Sequence, residues 1–247
     1  MEYLAFTLWC FTVAIGGGTG LVLGNLRLPV VLLVASSPAA ATGTNIGISA
    51  IAAGAAAAAH IRAGRINWRL VAWMAPPSVA AAIAGGYLSG ELPGDTLRLA
   101  IAAVLLVSGL QLLRSPGRPE GADRRGSPDV RGAALAGAAI GFVGGVVGLI
   151  LGSLRMPALL RLVGEAPARA VGTNVAVGFC VGLGGVVGHL SSVAPDWDLL
   201  ALGAAASVPG ALLGSRLTGR LSEEALVRAI GAVLLVAAAS IAAEALA

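Results

Sequence analysis

An all-α, polytopic membrane protein built from two homologous repeats is the fold class this sequence predicts, and three observations predict it. The chain of 247 residues is 57% hydrophobic and only 11% charged, with a mean hydropathy of +0.90, which is more apolar surface than one soluble core of that length can cover. Its apolar residues fall in runs of about 20, the length a helix needs to cross the hydrocarbon core. The chain also repeats itself. Gly20-Leu21-Val22-Leu23-Gly24-Asn25-Leu26-Arg27-Leu28-Pro29 returns as Gly148-Leu149-Ile150-Leu151-Gly152-Ser153-Leu154-Arg155-Met156-Pro157, 128 residues later. A second shared word, Pro38 to Gly43-Thr44-Asn45, returns as Pro167 to Gly172-Thr173-Asn174 at an offset of 129, so one residue is inserted between the two words. The offset of 129 then holds for His60 and His189, Trp68 and Trp197, and Ser78-Val79 and Ser207-Val208.

In chain order, the first element is an apolar run from residue 3 to about 24, interrupted by Gly16-Gly17-Gly18-Thr19-Gly20. Each glycine weakens a helix by roughly 1 kcal/mol relative to alanine. Such a stretch is either a break, which lipid tolerates only inside the bundle, or a seam for close helix packing; Gly144, Gly145 and Gly148 pose the same pair of alternatives. Next comes Pro29 to Ala35, at about 1.5 Å per residue too short to span, and therefore a half-helix whose first position suits proline. Pro157 opens a matching element over 157–163. Full spans are expected at 40–60, 70–90 and 96–113, and in the second half at 168–189, 198–219 and 225–245, after an interrupted run at 132–152. The domains are 1–113, a polar linker at 114–131 rich in proline and charge, and 132–247. The sixteen basic residues are all arginine and lie between apolar runs, as loop residues do. That placement excludes nucleic acid as the partner in spite of the +4 charge.

Charge counting separates two topologies. If the first run of each half spans fully, there are eight spans in parallel repeats, and the arginines divide evenly between the two sides. If each interrupted run and its half-helix enter and leave on one side, three full spans per half remain and the repeats are inverted. Fourteen arginines then share the linker side, against Arg27 and Arg98 opposite. The positive-inside rule favours the inverted form, with six to eight membrane segments in total and the linker in the cytoplasm.

Arg27 and Arg155 sit two residues before the prolines. A half-helix starting inside the membrane turns unpaired N–H groups into the bundle, and a guanidinium can grip an oxyanion through two parallel bonds. These arginines either bind an anion or snorkel to headgroups. Thr44, Asn45, Thr173 and Asn174 either add neutral donors or cap helices. Gly24, Gly152, Pro29 and Pro157 complete the candidate site. His60 and His189 lack the carboxylate or cysteine company of a metal site and read as boundary residues. No cofactor or metal is expected, and no catalytic constellation falls within a span. Cys10 and Cys180, at non-equivalent positions in apolar runs, read as buried small hydrophobes. The N-terminal run, with no basic residue ahead of it, reads as mature sequence and not as a signal peptide.

The repeated glycine-rich segment running into proline, the short apolar helix and the words Ala41-Thr42-Gly43-Thr44 and Ala170-Val171-Gly172-Thr173 resemble the TauE/SafE family of sulfite exporters, also called TSUP transporters. The resemblance covers essentially the whole chain. It departs from the family pattern at Arg27, Arg155, Asn45 and Asn174, and in keeping single glycines at Gly24 and Gly152. It implies a multi-pass permease of the bacterial cytoplasmic membrane whose substrate is sulfite or a related sulfur oxyanion or sulfonate. Expected partners are that small anion and the lipid bilayer, with homo-oligomerisation left open. An anion channel or a non-transporting structural membrane protein is the alternative.

Overall fold

The computed structural model describes residues 2–18, 24–114, 129–217 and 223–246. Most of the expected linker and the Thr19-Gly20 end of the first glycine run lie outside these. The described residues form ten α-helices in the order α1 (Glu2–Gly18), α2 (Gly24–Val34), α3 (Pro38–Arg62), α4 (Trp68–Glu91), α5 (Gly94–Arg114), α6 (Val130–Val147), α7 (Gly152–Pro157), α8 (Pro167–Leu190), α9 (Trp197–Leu217) and α10 (Glu223–Leu246), with a π-helical turn at Ala158–Leu162. Six of the helices are long and apolar enough to cross a membrane. Leu33, Leu135, Val236 and Leu246 each expose more than 70% of their surface, an outward apolar face whose natural solvent is lipid. The protein is a multi-pass membrane protein.

Both short helices start earlier than expected. They open at Gly24 and Gly152, so Pro29 lies inside α2 and Pro157 ends α7 instead of opening a helix. Each proline is at the sixth position of its helix, past the first four N–H groups that have no intrahelical partner, so Pro29 forfeits one bond, to the Asn25 carbonyl. After Pro157 the chain widens: the Val163 N–H donates to the Ala158 carbonyl, five residues back, at 3.3 Å. A π turn takes up one extra residue, and it sits where the repeat offset steps from 128 to 129. The insertion is absorbed there, and α8 keeps its place as the mate of α3.

The glycine alternatives are both realised in the second half. Gly148 ends α6 with φ +69, a backbone region that an L side chain enters only at a cost, and an added Cβ would collide with the Thr42 backbone. That is the break. Gly141 and Gly145, one turn apart, instead lie against the Ser78 and Ala82 carbonyls of α4 with no room for a side chain, which is the seam.

Neighbour contacts fix the helix directions. Gly43, Gly47 and Gly54 on α3 lie against His189, Val186 and Phe179 on α8, so these two central helices, which carry the second shared word, run antiparallel. Gly141 meets Ser78 and Gly145 meets Ala82, so α6 runs parallel to α4. In the same way α1 runs parallel to α9, with Cys10 beside Gly203 and Phe11 beside Gly210. Each long first helix therefore packs on the fourth helix of the other half. The chain also turns back after it: the Asp129 N–H ahead of α6 donates to the Leu162 carbonyl at 3.0 Å, so this segment enters and leaves at one end. In the first half α2 returns along α1, with the Trp9 Nε1–H donating to the Leu26 carbonyl at 3.2 Å and Val31 clustered with Phe6.

Candidate functional site

The returning helices bring two arginines into the middle of the molecule. Arg27 on α2 is 2% exposed and Arg155 on α7 is 0% exposed, so neither snorkels to a headgroup. The ion pairs among the described residues, Arg98 with Asp95 and Arg169 with Glu165, lie at the ends of the bundle and involve neither of them. A buried guanidinium without a counter-ion costs several kcal/mol, and neutral groups meet part of that cost. Arg27 donates from Nε to Asn45 Oδ1 at 2.8 Å, from Nη1 to Ser207 Oγ at 3.3 Å, and from Nη2 to the Asn45 carbonyl at 3.2 Å and to Ser49 Oγ. Arg155 donates from Nη1 to Asn174 Oδ1 at 3.1 Å; its Nε and Nη2 meet no hydrogen-bond partner among the described residues. Each asparagine is held in turn by a glycine carbonyl of the second half: Asn45 Nδ2 donates to Gly148 O, at the end of α6, at 2.9 Å, and Asn174 Nδ2 to Gly152 O, at the start of α7, at 3.0 Å.

Beside Arg27 lies a cavity of about 70 Å³ open to the centres of water molecules, lined by Val13, Ala14, Gly24, Arg27, Ser49, Ala52, Ala53, Ala56, Ile150, Gly152, Asn174, Val175, Gly178 and Ala211. A single water needs roughly 10–15 Å³ on this measure, so the space suits a few waters or one small polyatomic ion. Gly24 and Gly152, the first residues of α2 and α7, both border it. The walls are otherwise mostly alanine, valine and isoleucine, which keep the local dielectric low and strengthen any charge interaction made there.

Of the residues the sequence put forward, Gly24, Arg27, Gly152 and Asn174 line the cavity. Asn45 and Arg155 stand behind it, bonded to Arg27 and Asn174. Pro29 and Pro157 belong to the helices that deliver the arginines. Thr44 and Thr173 are used elsewhere. The Thr44 hydroxyl accepts the Asp196 N–H at 2.8 Å, just ahead of α9, and the Thr173 hydroxyl accepts the Asn67 N–H at 2.9 Å, just ahead of α4. These two bonds are repeat mates, each tying a central helix of one half to the loop before the fourth helix of the other. Neither threonine caps its own helix: α3 is capped by Ser37, whose hydroxyl accepts the Ala40 N–H at 3.1 Å.

Ser49, Ser207 and Gly178 were not singled out from the sequence as site residues. Ser49 was within reach of pattern reasoning, since it follows Asn45 by four residues and so shares its helix face. Ser207 was not, because nothing local relates it to Arg27. His189 is fully buried and its Nε2 lies 3.1 Å from the Gly145 carbonyl; His60 is buried too, in the last turn of α3. Cys10 and Cys180 are free thiols. No group of three or more metal-ligating side chains occurs among the described residues.

Compared with known proteins, residues 5–241 match the model of a family described as sulfite exporter TauE/SafE. Over 238 residues, 92% of this chain and 94% of the relative, the chain is 26% identical to a Bacillus subtilis (strain 168) protein named probable membrane transporter protein YjnA. Over 85 residues, 34% of this chain and 30% of the relative, it is 35% identical to probable membrane transporter protein YunE of the same organism. No solved structure matches it significantly.

Proposed function

We propose that this membrane transporter, which belongs to the sulfite exporter TauE/SafE family, carries a small anion, sulfite or a related sulfur oxyanion or organosulfonate, through the central cavity between the starts of α2 and α7. One observation carries the reading. Of two fully buried arginines, Arg27 lines the cavity and Arg155 stands behind its wall, with no carboxylate paired to either of them among the described residues, so the centre of the protein holds uncompensated positive charge in apolar walls. A cation is repelled there, a neutral solute leaves the charge unpaired, and an oxyanion repays the desolvation through charge-assisted bonds.

The proposal includes inverted repeats. The antiparallel run of α3 and α8 and the return of α6 to its own starting end support it, because repeats related by an axis in the membrane plane reverse every helix direction. Arg62, Arg65, Arg69, Arg131 and Arg169 belong to the end where α3 passes into α4 and α6 and α8 begin, whereas Arg98 belongs to the other. The positive-inside rule then puts the linker end in the cytoplasm. The bias persists with Arg27 and Arg155 inside the bundle and counted on neither side.

Reconstitution into liposomes tests the function. We expect saturable sulfite flux that sulfate, thiosulfate or an organic sulfonate competes with. Flux that rises linearly with concentration at very high rate makes the protein a channel, and absence of flux for all four anions removes the anion assignment.

A further inference from the structure

We infer that the anion is gripped by Arg155 and that Arg27, its repeat mate, is a positioning residue whose own donors the protein has already taken. The inference rests on the anion reading and adds which half of the site does the binding. A guanidinium has five N–H donors. Arg27 uses four of them, in bonds to Asn45 Oδ1, the Asn45 carbonyl, Ser49 and Ser207. Arg155 uses one, to Asn174, although it is the more deeply buried of the two. The mates of the missing partners show why. Gly178 stands where the repeat would place Ser49, and it offers no hydroxyl; a Cβ built on it would lie 3.9 Å from Arg155 Nη1. Ser78 stands where the repeat would place Ser207, and its buried hydroxyl, too, meets no partner among the described residues. Both copies have the arginine and its asparagine, but the Ser49 hydroxyl has no counterpart at Gly178, and neither Ser78 nor the Asn174 carbonyl bonds Arg155.

The gap lies one layer behind the cavity, whose wall Arg27 reaches and Arg155 does not. Asn174, which accepts from Arg155 Nη1, and Gly178, which lies beside that atom, form the wall between them. Free Nε and Nη2 donors lie on one edge of the guanidinium plane, the edge that takes two oxygens of one oxyanion in parallel. Arg27 presents no such edge, since its Nε and Nη2 are both engaged with Asn45. It contributes charge, and it fixes the wall by joining α2, α3 and α9. A sulfur oxyanion with at least two unsubstituted oxygens therefore fits the open edge, whose two parallel N–H bonds a monatomic halide, a single acceptor, cannot both meet in line.

The test separates binding from architecture in the full-length protein, with sodium sulfite as the probe, sodium chloride as the reference anion, and two readouts: the melting temperature in detergent and flux in liposomes. Wild type is expected to gain several degrees on adding sulfite and little on adding chloride. Arg155→Gln should lose the sulfite-dependent gain and raise the flux KM by a hundredfold or more, while its melting temperature without sulfite stays at or above wild type. Arg27→Gln should melt several degrees lower and turn over more slowly, yet keep the sulfite-dependent gain with KM within about threefold. Should Arg27→Gln fail to fold, Ser207→Ala replaces it: Ser207 accepts from Arg27 without lining the cavity, and freeing that donor should leave KM unchanged. A sulfite gain lost in Arg27→Gln, KM effects of equal size in the two arginine variants, or a tenfold rise of KM in Ser207→Ala overturns the assignment to Arg155. A wild-type protein that neither transports nor is stabilised by sulfite overturns the anion reading itself; the contrast in melting temperature between the two arginine variants still reports whether Arg155 is the unsatisfied one.

Discussion

The two halves of the central site share a plan and differ in how far it is completed. In the first, an arginine on a returning helix is bound by Asn45, Ser49 and Ser207, so three helices converge on one charge. In the second, the equivalent arginine has Asn174 alone. Duplication supplies both halves with the same scaffold, and a few side-chain differences, Gly178 for Ser49 above all, leave Arg155 with fewer partners among the described residues than Arg27. An unsatisfied buried donor is costly wherever it persists, and such cost concentrates at functional sites.

That comparison can be broken most sharply at the asparagines. Asn174→Leu takes away the one bond of Arg155 and should cost about 3 kcal/mol, the upper part of the range for hydrogen bonds to charged groups. Asn45→Leu leaves Arg27 its bonds to Ser49, Ser207 and the residue 45 carbonyl and should cost about 1.5 kcal/mol. Melting temperatures of the two variants in anion-free detergent decide the order; a larger drop for Asn45→Leu means that the second half is better satisfied than its geometry implies.

A smaller effect is expected where the halves are alike. Thr44→Val and Thr173→Val each remove a hydroxyl that accepts a backbone N–H from the loop before the opposite fourth helix, at 2.8 and 2.9 Å. Each should cost about 1 kcal/mol, and the two should match within experimental scatter with little change in anion affinity. A tenfold loss of sulfite affinity in either would return that threonine to the binding site.

The smallest effect sharpens the asymmetry. Ser207→Ala removes an Arg27 acceptor and should lower stability by about 0.5–1 kcal/mol. Ser78→Ala removes a buried hydroxyl without a partner among the described residues and should be neutral or slightly stabilising. Thermal melting of the pair checks the sign of the difference; equal destabilisation would show that Ser78 has an acceptor or donor role like its mate's.

The sequence by itself determined the solvent, the helices and the duplication. Run length and apolar content are local quantities, and a helix must satisfy its backbone within its own segment in lipid, so the spans at 40–60, 70–90 and 168–189 were legible to within a few residues of α3, α4 and α8. The short returning elements were legible from their length, although their starts were not, because proline is tolerated a turn into a helix as well as at its first position. The two arginines were legible as candidates from the repeated words alone. Whether they reach a headgroup or the interior depended on where α2 and α7 end up, and only the tertiary structure decided that both are buried. It also decided which of them has donors to spare. Arg27 is satisfied by Ser207, 180 residues away in the chain, and Thr44 is occupied by the backbone of Asp196, 152 residues away. Hydrogen-bond satisfaction is a property of the neighbours that packing supplies, and in this protein some of those neighbours, Ser207 for Arg27 and Asp196 for Thr44, come from the opposite repeat.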